Sequence, residues 1–593
     1  MVRRFGQFEL DEKRRELRLR GEEIAVQPRV FDLLAMLYRN RDRVVTKDEL
    51  LDALWPGVVV GDGSLQRAVS LARSALKQGG LGEAIRNYAR QGYRFCLSDR
   101  TEGAEPGTAG IELDAARTAF ERGEWEAAVE AYRLADSSSA LAAADLEKLA
   151  DACQCSGRAA EAEPVLERAV AASSARGDCR TAARTAFRLA EIAFESGRVP
   201  VAQGWFTRGH RYLKDVDEGW EHGFEAYLSA RIATMKGEPE AAHEHARRGF
   251  EIGQRLGSDD IEAMNLVYLG FSELTLGNVE TGTARIDEAA AMVMAGNVGL
   301  RAGGIVYCGV IWVCCNRGDW QRAAQWSDSF SRWCERGGMT RFSGVCQLHR
   351  AEILSISGEP TEAEEEIHRA REQVACCSPY AEGDSFRILG DLLLMRGDLE
   401  RAEDAFRRAH ELGWDPQPGL AMLQAENGDP ESAIRTLTRS LDDRNWALRQ
   451  RRALLLAQLV IIAAQHGDRD RAVRAMEELR QNPGLWESDF HGGAVARARA
   501  ELAVLQCKPD EAVMTMRDAI RHWQSARATL QQATCRLRLA QLLANQGDIA
   551  GALLELDAAQ SSYEAMLAPR RAETCAQLRE SLSGTERERR ISG

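Results

Sequence analysis

Between Gly63 and Lys77 the apolar residues Leu65, Val69, Ala72 and Leu76 recur at spacings of four, three and four, which places them on one side of a helix. Gln66, Arg67, Ser70, Arg73, Ser74 and Lys77 fall on the other side. Upstream the period shortens. The stretches RRFGQFEL and RRELRLR flank a charged turn at Asp11 to Lys13, and EEIAV follows Gly21, so short strands are predicted over the first 26 residues. Pro28 suits the first turn of a helix whose apolar positions are Val30, Leu33, Leu34 and Leu37. A second helix is predicted in TKDELLDALWP, where Thr46 and Glu49 make a capping box and Pro56 follows the end. NRDRVV reads as a tight connector between the two. Downstream, IRNYARQGYRF reads as two strands around a turn that carries Arg86, Arg90 and Arg94.

A different pattern begins after LSDRTEGAEPGTAG, whose Gly and Pro mark a linker over 98–110. Turn sequences such as ERGEWEAA, NRGDWQRA, MRGDLERA and NQGDIAGA recur beyond it. Their central position is Gly123, Gly157, Gly197, Gly237, Gly277, Gly318, Gly358, Gly397, Gly428, Gly467, Cys507 and Gly547, at spacings of 34, 40, 40, 40, 41, 40, 39, 31, 39, 40 and 40. Glycine there is expected to end one helix in a left-handed conformation, and the Asp, Glu or Pro behind it to start the next. The small Ala four or five residues further on is expected where two helices cross. Each helix pair leaves an apolar side bare until the next pair stacks on it. The pattern therefore predicts an all-α superhelical solenoid over 111–578, followed by a polar tail, 579–593.

Charge divides along the same boundary. Residues 1–96 hold 18 Lys and Arg against 13 Asp and Glu, a net of +5, whereas the rest of the chain carries −18. A basic module on an acidic body suggests that the module alone meets a polyanion. No run of eighteen apolar residues occurs, and MVRRFGQFELDEKRR lacks the apolar core of a signal peptide. A cytoplasmic protein is expected, nucleoid-associated when bound to DNA and with no membrane partner. The 14 Cys follow no regular framework and are expected to be reduced thiols that mostly pack as small apolar residues.

The order of strands, a Pro-led helix, VVTKDELLDALWP, GDGSLQRAVSLARSAL and IRNYARQGYRF resembles the winged-helix DNA-binding domain of OmpR- and ToxR-type bacterial transcription regulators, over about residues 3–97. The resemblance implies that the third helix enters the major groove and that the closing hairpin, the wing, reaches phosphates or the adjacent minor groove. It makes Leu50, Leu54 and Trp55 structural and aligns Asp62, Ser64 and Leu65 with the start of the recognition helix. It puts Arg67 and Arg73 on that helix's outward side and gives Gly92, Tyr93, Arg94 and Phe95 to the closing strand. Two positions depart from the family pattern. Arg90 stands where the wing tip usually carries glycine, with Ala89 at the adjoining basic position, and Leu71 stands where many members have a polar or basic residue. The repeat body resembles tetratricopeptide repeats and, in its period near 40, the sensor solenoid of large LuxR-type regulators such as the maltose regulator. It contains no GxxxxGKS or GxxxxGKT segment, so nucleotide hydrolysis is not expected. Nor is there room between residue 97 and the first repeat for a receiver domain.

No catalytic constellation stands out, and neither a cofactor nor a metal is expected. His243 and His245, two apart on a helix, point to different sides. Cys153 with Cys155, Cys314 with Cys315, and Cys376 with Cys377 lack the CxxC repetition of a zinc site. One part of the body differs from its neighbours: GGIVYCGVIWVCCNRGDWQRAAQWSDSFSRWCERGG carries Trp312, Trp320, Trp326 and Trp333 beside Gly303, Gly304 and Gly309. Glycine in a helix costs stability, which suggests close approach by another helix or a ligand. The four Trp are then either gap fillers between stacked helices or an effector pocket on the inner surface of the array.

These readings predict a multidomain chain, a small α+β winged helix over 1–97 followed by the tetratricopeptide-like solenoid. The expected function is that of a sequence-specific transcription regulator controlled by a ligand or protein at its repeat domain, and not that of an enzyme. Its candidate DNA contacts are Gln66, Arg67, Ser70, Arg73, Ser74, Lys77, Arg86, Arg90 and Arg94. Candidate partners are promoter duplex, RNA polymerase or a peptide, a small effector and a second copy of the chain. The rival reading is a non-catalytic interaction scaffold whose winged helix docks protein.

Overall fold

The computed structural model describes residues 2–5, 8–11, 14–19, 22–24, 26–40, 44–54, 62–77, 81, 84–88, 92–95, 108–337, 344–374, 379–442, 446–481 and 488–592. It divides into two compact units, Met1–Gly107 and Thr108–Gly593.

The first unit opens with four short strands, β1 (Val2–Phe5), β2 (Phe8–Asp11), β3 (Glu16–Leu19) and β4 (Glu22–Ile24), paired antiparallel in that order. The stretch read as one strand in RRFGQFEL is thus a hairpin, with Phe5 opposite Phe8. Leu10 lies opposite Leu17, and Phe8, Leu10 and Leu17 are wholly buried, so alternation delivers one apolar face to the core. These three side chains share one core with buried residues of α1 (Pro28–Arg39), α2 (Lys47–Leu54) and α3 (Asp62–Lys77). The capping box of α2 is formed: Thr46 N–H donates to Glu49 Oε2 at 2.8 Å, and Glu49 N–H donates to Thr46 Oγ1 at 3.2 Å. A second sheet follows, made of β5 (Val45–Thr46), β6 (Ile85–Tyr88) and β7 (Gly92–Phe95) in the order β5-β7-β6. The end of the expected connector is therefore a strand, drawn out by a pairing partner far along the chain. Trp55, Pro56 and Cys96 lie outside the described residues.

The second unit is a succession of helical hairpins, twelve among the described residues, from Thr108–Glu121 with Trp125–Ser138 to Thr529–Asn545 with Ile549–Ala565, and it ends in the helix Pro569–Ser592. The helix Thr108–Glu121 takes in the last three residues of the expected linker 98–110, and the helix Pro569–Ser592 takes in the expected polar tail from 579 as far as Ser592. All twelve turn positions read from the sequence have positive φ, from 58° at Cys507 to 93° at Gly277. One hairpin shows why Gly-Asp recurs there. Gly318 N–H donates to Cys315 O at 3.0 Å and Asp319 N–H to Cys314 O at 2.9 Å, which closes the first helix through a left-handed glycine. The Asp319 carboxylate then accepts from Arg322 N–H at 3.2 Å and caps the second. Five residues beyond each turn position stands a buried Ala or, once, Gly282, where an added Cβ would fall 2.7 Å from the Gly270 carbonyl. Small residues there let the paired helices cross closely.

The solenoid also closes on itself. Phe490 packs against the Gly318 turn, Thr529 Oγ1 donates to Ser357 O at 2.7 Å, and Arg570 Nη1 donates to Gly397 O at 3.1 Å. Three successive hairpin turns thus rest on helices more than four repeats later, and a cavity of about 1540 Å³ lies within the coil. Among the described residues no helix is long and apolar enough to cross a membrane.

Candidate nucleic-acid interface and the solenoid interior

Helix α3 buries Leu65, Ala68, Val69, Ala72, Ala75 and Leu76, and this fixes which side is left to solvent. Arg67, Ser70, Leu71 and Ser74 form an exposed stripe at i, i+3, i+4 and i+7, and Lys77 continues it. Arg67, Lys77 and the exposed Arg86 make no ion pair with any described residue. The side chain of Gln66, and Ala89 and Arg90 at the wing tip, lie outside the described residues.

Arg73 departs from its expected role. It is half-buried, and its Nε and Nη2 both donate to the Ile85 carbonyl at 3.0 and 2.7 Å. With 3.6 residues per turn, position 73 lies roughly 110° from the centre of the exposed stripe, so the guanidinium reaches sideways to β6 instead of outward. It clamps the hairpin to α3. Arg86 and Arg94 stand opposite each other across β6 and β7, with Arg86 exposed and Arg94 half-buried. Gly92 opens β7 because nothing larger fits: its φ is 152°, and a Cβ would lie 2.0 Å from the Val45 carbonyl oxygen. The Arg73 clamp and the β5–β7 pairing escaped the sequence reading, since neither leaves a local signal.

In the second unit the four Trp, which the sequence allows as gap fillers or as a pocket, each pack on a neighbour, and three of them also border the cavity. Trp312 packs on Phe271 with ring centroids 4.9 Å apart, and Trp333 stacks on Phe330 at 5.9 Å. Trp320 meets Phe490 edge-on at 5.5 Å and so belongs to the seam between turns of the coil. Trp326 donates from Nε1 to Asp287 Oδ1 at 3.2 Å and does not line the cavity, whereas the other three do. Two of the three glycines serve packing: a Cβ on Gly303 would fall 2.7 Å from Trp333, and one on Gly309 would fall 2.9 Å from Val267. Gly304 faces open space in the cavity wall.

The cavity wall is rich in paired charge. Glu191 accepts from Tyr227 Oη at 2.8 Å, from Arg231 at 3.1 Å and from Arg301. Deeper along the coil Arg387 holds Glu352, Asp384 and Asp391 at 2.8, 2.6 and 3.0 Å. Burial pushes the Asp391 carboxyl up to about 6 against the pull of Arg387. Cys308 sits beside Cys346 and His349, and hydrogen bonding to Cys346 together with burial holds its thiol well above the ordinary range, which makes it a poor nucleophile. Burial raises Cys153 to about 11 and Cys155 to about 12, while Cys376 and Cys377 lie outside the described residues. Among the described residues no three His, Cys, Asp or Glu side chains are placed to hold a metal ion.

Comparison with known proteins divides the chain at the same place. Residues 21–95 match the family model for the transcriptional regulatory protein, C terminal, and residues 352–415 match a tetratricopeptide repeat model. The chain is 37% identical over 73 residues to the uncharacterized transcriptional regulatory protein YvcP of Bacillus subtilis, which covers 12% of this chain and 31% of that one. It is 39% identical over 57 residues to the sensory transduction protein RegX3 of Mycolicibacterium smegmatis, covering 10% and 25%. The chain thus spans less than a third of the length of the curated relatives it matches. The crystal structure of the APC/C hetero-tetramer Cut9-Hcn1 overlaps 79% of this chain and 96% of that chain at 13% identity, with a TM-score of 0.33. The amino-terminal unit is an OmpR/PhoB-type winged helix, and the helical unit that follows is a tetratricopeptide-like solenoid that contains tetratricopeptide repeats.

Proposed function

We propose that this chain is a sequence-specific DNA-binding transcription regulator whose solenoid receives the controlling signal. One observation carries the first half: a winged helix presents Arg67, Ser70, Ser74 and Lys77 along one exposed helix face, with Arg86 exposed on the adjoining hairpin. An α-helix fits the major groove, and these side chains can bond to base edges or phosphates. Gln66, Arg90 and Arg94 complete the proposed contact set, and Arg73 acts behind it by holding the hairpin. Passing a random pool of duplexes over the full chain tests this reading. Recovery of one motif, weakened by Arg67→Ala, supports it. Recovery of no motif favours the scaffold that docks protein.

The signal is assigned to the cavity within the coil. Its volume of about 1540 Å³ exceeds the roughly 300–1,000 Å³ of most small-molecule sites, and its wall mixes apolar surface with paired Arg, Asp and Glu. A peptide, a segment of a partner protein or a sizeable polar effector suits such a wall. The occupant must favour one arrangement of the protein over another, because equal affinity for both would shift nothing. Gly304→Leu adds a side chain where the wall is open, so it should block the occupant without disturbing a packed neighbour. Loss of induction in cells at normal protein abundance is the expected outcome, and normal induction removes this part of the cavity from sensing.

A further inference from the structure

Among the described residues of the amino-terminal unit, Leu71 is the one large apolar side chain that the fold leaves exposed, at 38%. It lies midway along the stripe formed by Arg67, Ser70 and Ser74, at the edge of the stripe away from Ser70. With Arg73 turned aside to the Ile85 carbonyl, the middle of this face holds two short hydroxyls and one leucine. We propose that Leu71 is a base-reading residue that selects thymine through its 5-methyl group. The proposal rests on the DNA-binding reading above and assigns part of its sequence preference.

The chemistry is complementary on both sides. The floor of the major groove is polar except at thymine, whose methyl is an isolated apolar group. Leu71 is likewise an isolated apolar group among Arg67, Ser70, Ser74 and Lys77. A protein-docking face would instead gather apolar residues into a contiguous patch. Along a helix rising about 1.5 Å per residue, Arg67 to Ser74 span roughly 10 Å. That matches about three base steps of 3.4 Å. Arg67 and Ser74 can therefore bond to base edges or phosphates on either side while Leu71 covers the step between them. Cytosine in place of thymine offers no methyl and leaves the leucine against a polar edge.

The test uses the full chain and a duplex selected from a random pool, with thymine replaced by deoxyuridine at one position at a time. This exchange deletes the methyl and leaves every hydrogen-bonding group in place. For the wild type, one or two replacements should weaken binding about fourfold, the worth of one methyl removed from water. In Leu71→Ala the thymine and deoxyuridine duplexes should bind alike, and Leu71→Met, which keeps an apolar reach, should restore part of the discrimination. Circular dichroism of both variants should match the wild type, because the side chain is not in the core. Equal methyl effects in wild type and Leu71→Ala, or a selected motif indifferent to every thymine methyl, overturn the assignment of Leu71 while leaving DNA binding intact. Failure to select any motif overturns the DNA-binding reading itself, and with it this proposal.

Discussion

Arg67 and Arg73 lie on neighbouring turns of α3 and carry the same charge, yet the fold gives them different work. Periodicity places both off the apolar stripe, and that much was legible. The Ile85 carbonyl that takes Arg73 lies twelve residues on and is brought near only when the hairpin folds back. Arg67→Ala should lower discrimination between duplexes by about 1–3 kcal/mol while amide exchange in β6 stays unchanged. Arg73→Ala should do the reverse in the first instance, costing about 1 kcal/mol in the hairpin and speeding exchange at Ile85 to Tyr88. Equal exchange in the two variants would contradict the clamp. The Trp residues make the same point from the other side. Their crowding in one repeat was visible in the sequence, but Trp320 finds its partner, Phe490, in a distant repeat, which no local pattern shows.

At the scale of single elements the sequence was most informative where backbone chemistry is local. Thr46 with Glu49 caps α2 as their spacing implied. The turn positions adopt left-handed backbone because one residue must both end a helix and reverse the chain. Strand β5 was not legible, since two residues carry no period of their own, and Val45 is a strand only because Tyr93 lies opposite it. Cys507 is the exception that tests the turn argument, a non-glycine residue at φ 58° with an exposed side chain. Cys507→Gly removes the Cβ strain of the left-handed conformation, which is of order 1–2 kcal/mol, although added freedom in the unfolded chain offsets part of it. A rise in the unfolding midpoint of about one degree is expected in calorimetry. A fall would mean that the thiol contributes packing that its exposure hides.

For the whole molecule, repetition announced a solenoid but not that its turns would meet. Contacts such as Thr529 with Ser357 join segments 172 residues apart and depend on superhelical twist summed over several repeats. His491, 2% exposed at this seam beside the Gly318 turn, makes the closure sensitive to acid. Burial, then the charge of Arg317, lowers its imidazole to about 4. An unfolded histidine titrates near about 6.5, so between these values the unfolded chain takes up a proton that the folded one refuses. Stability is present above about 6.5 and is lost as pH falls toward 4, on the order of 2 kcal/mol by pH 5. Amide exchange around Gly318 should quicken from pH 7 to 5 after correction for intrinsic rates, and His491→Gln should blunt that change. The central claim, that α3 of the winged unit reads promoter sequence, is tested most directly by immunoprecipitation of the native protein from cells with sequencing of the bound DNA. The wild type should enrich discrete promoter sites sharing one motif, and Arg67→Ala at equal abundance should lose them. Identical sites in the two strains, or no discrete sites in either, would contradict it.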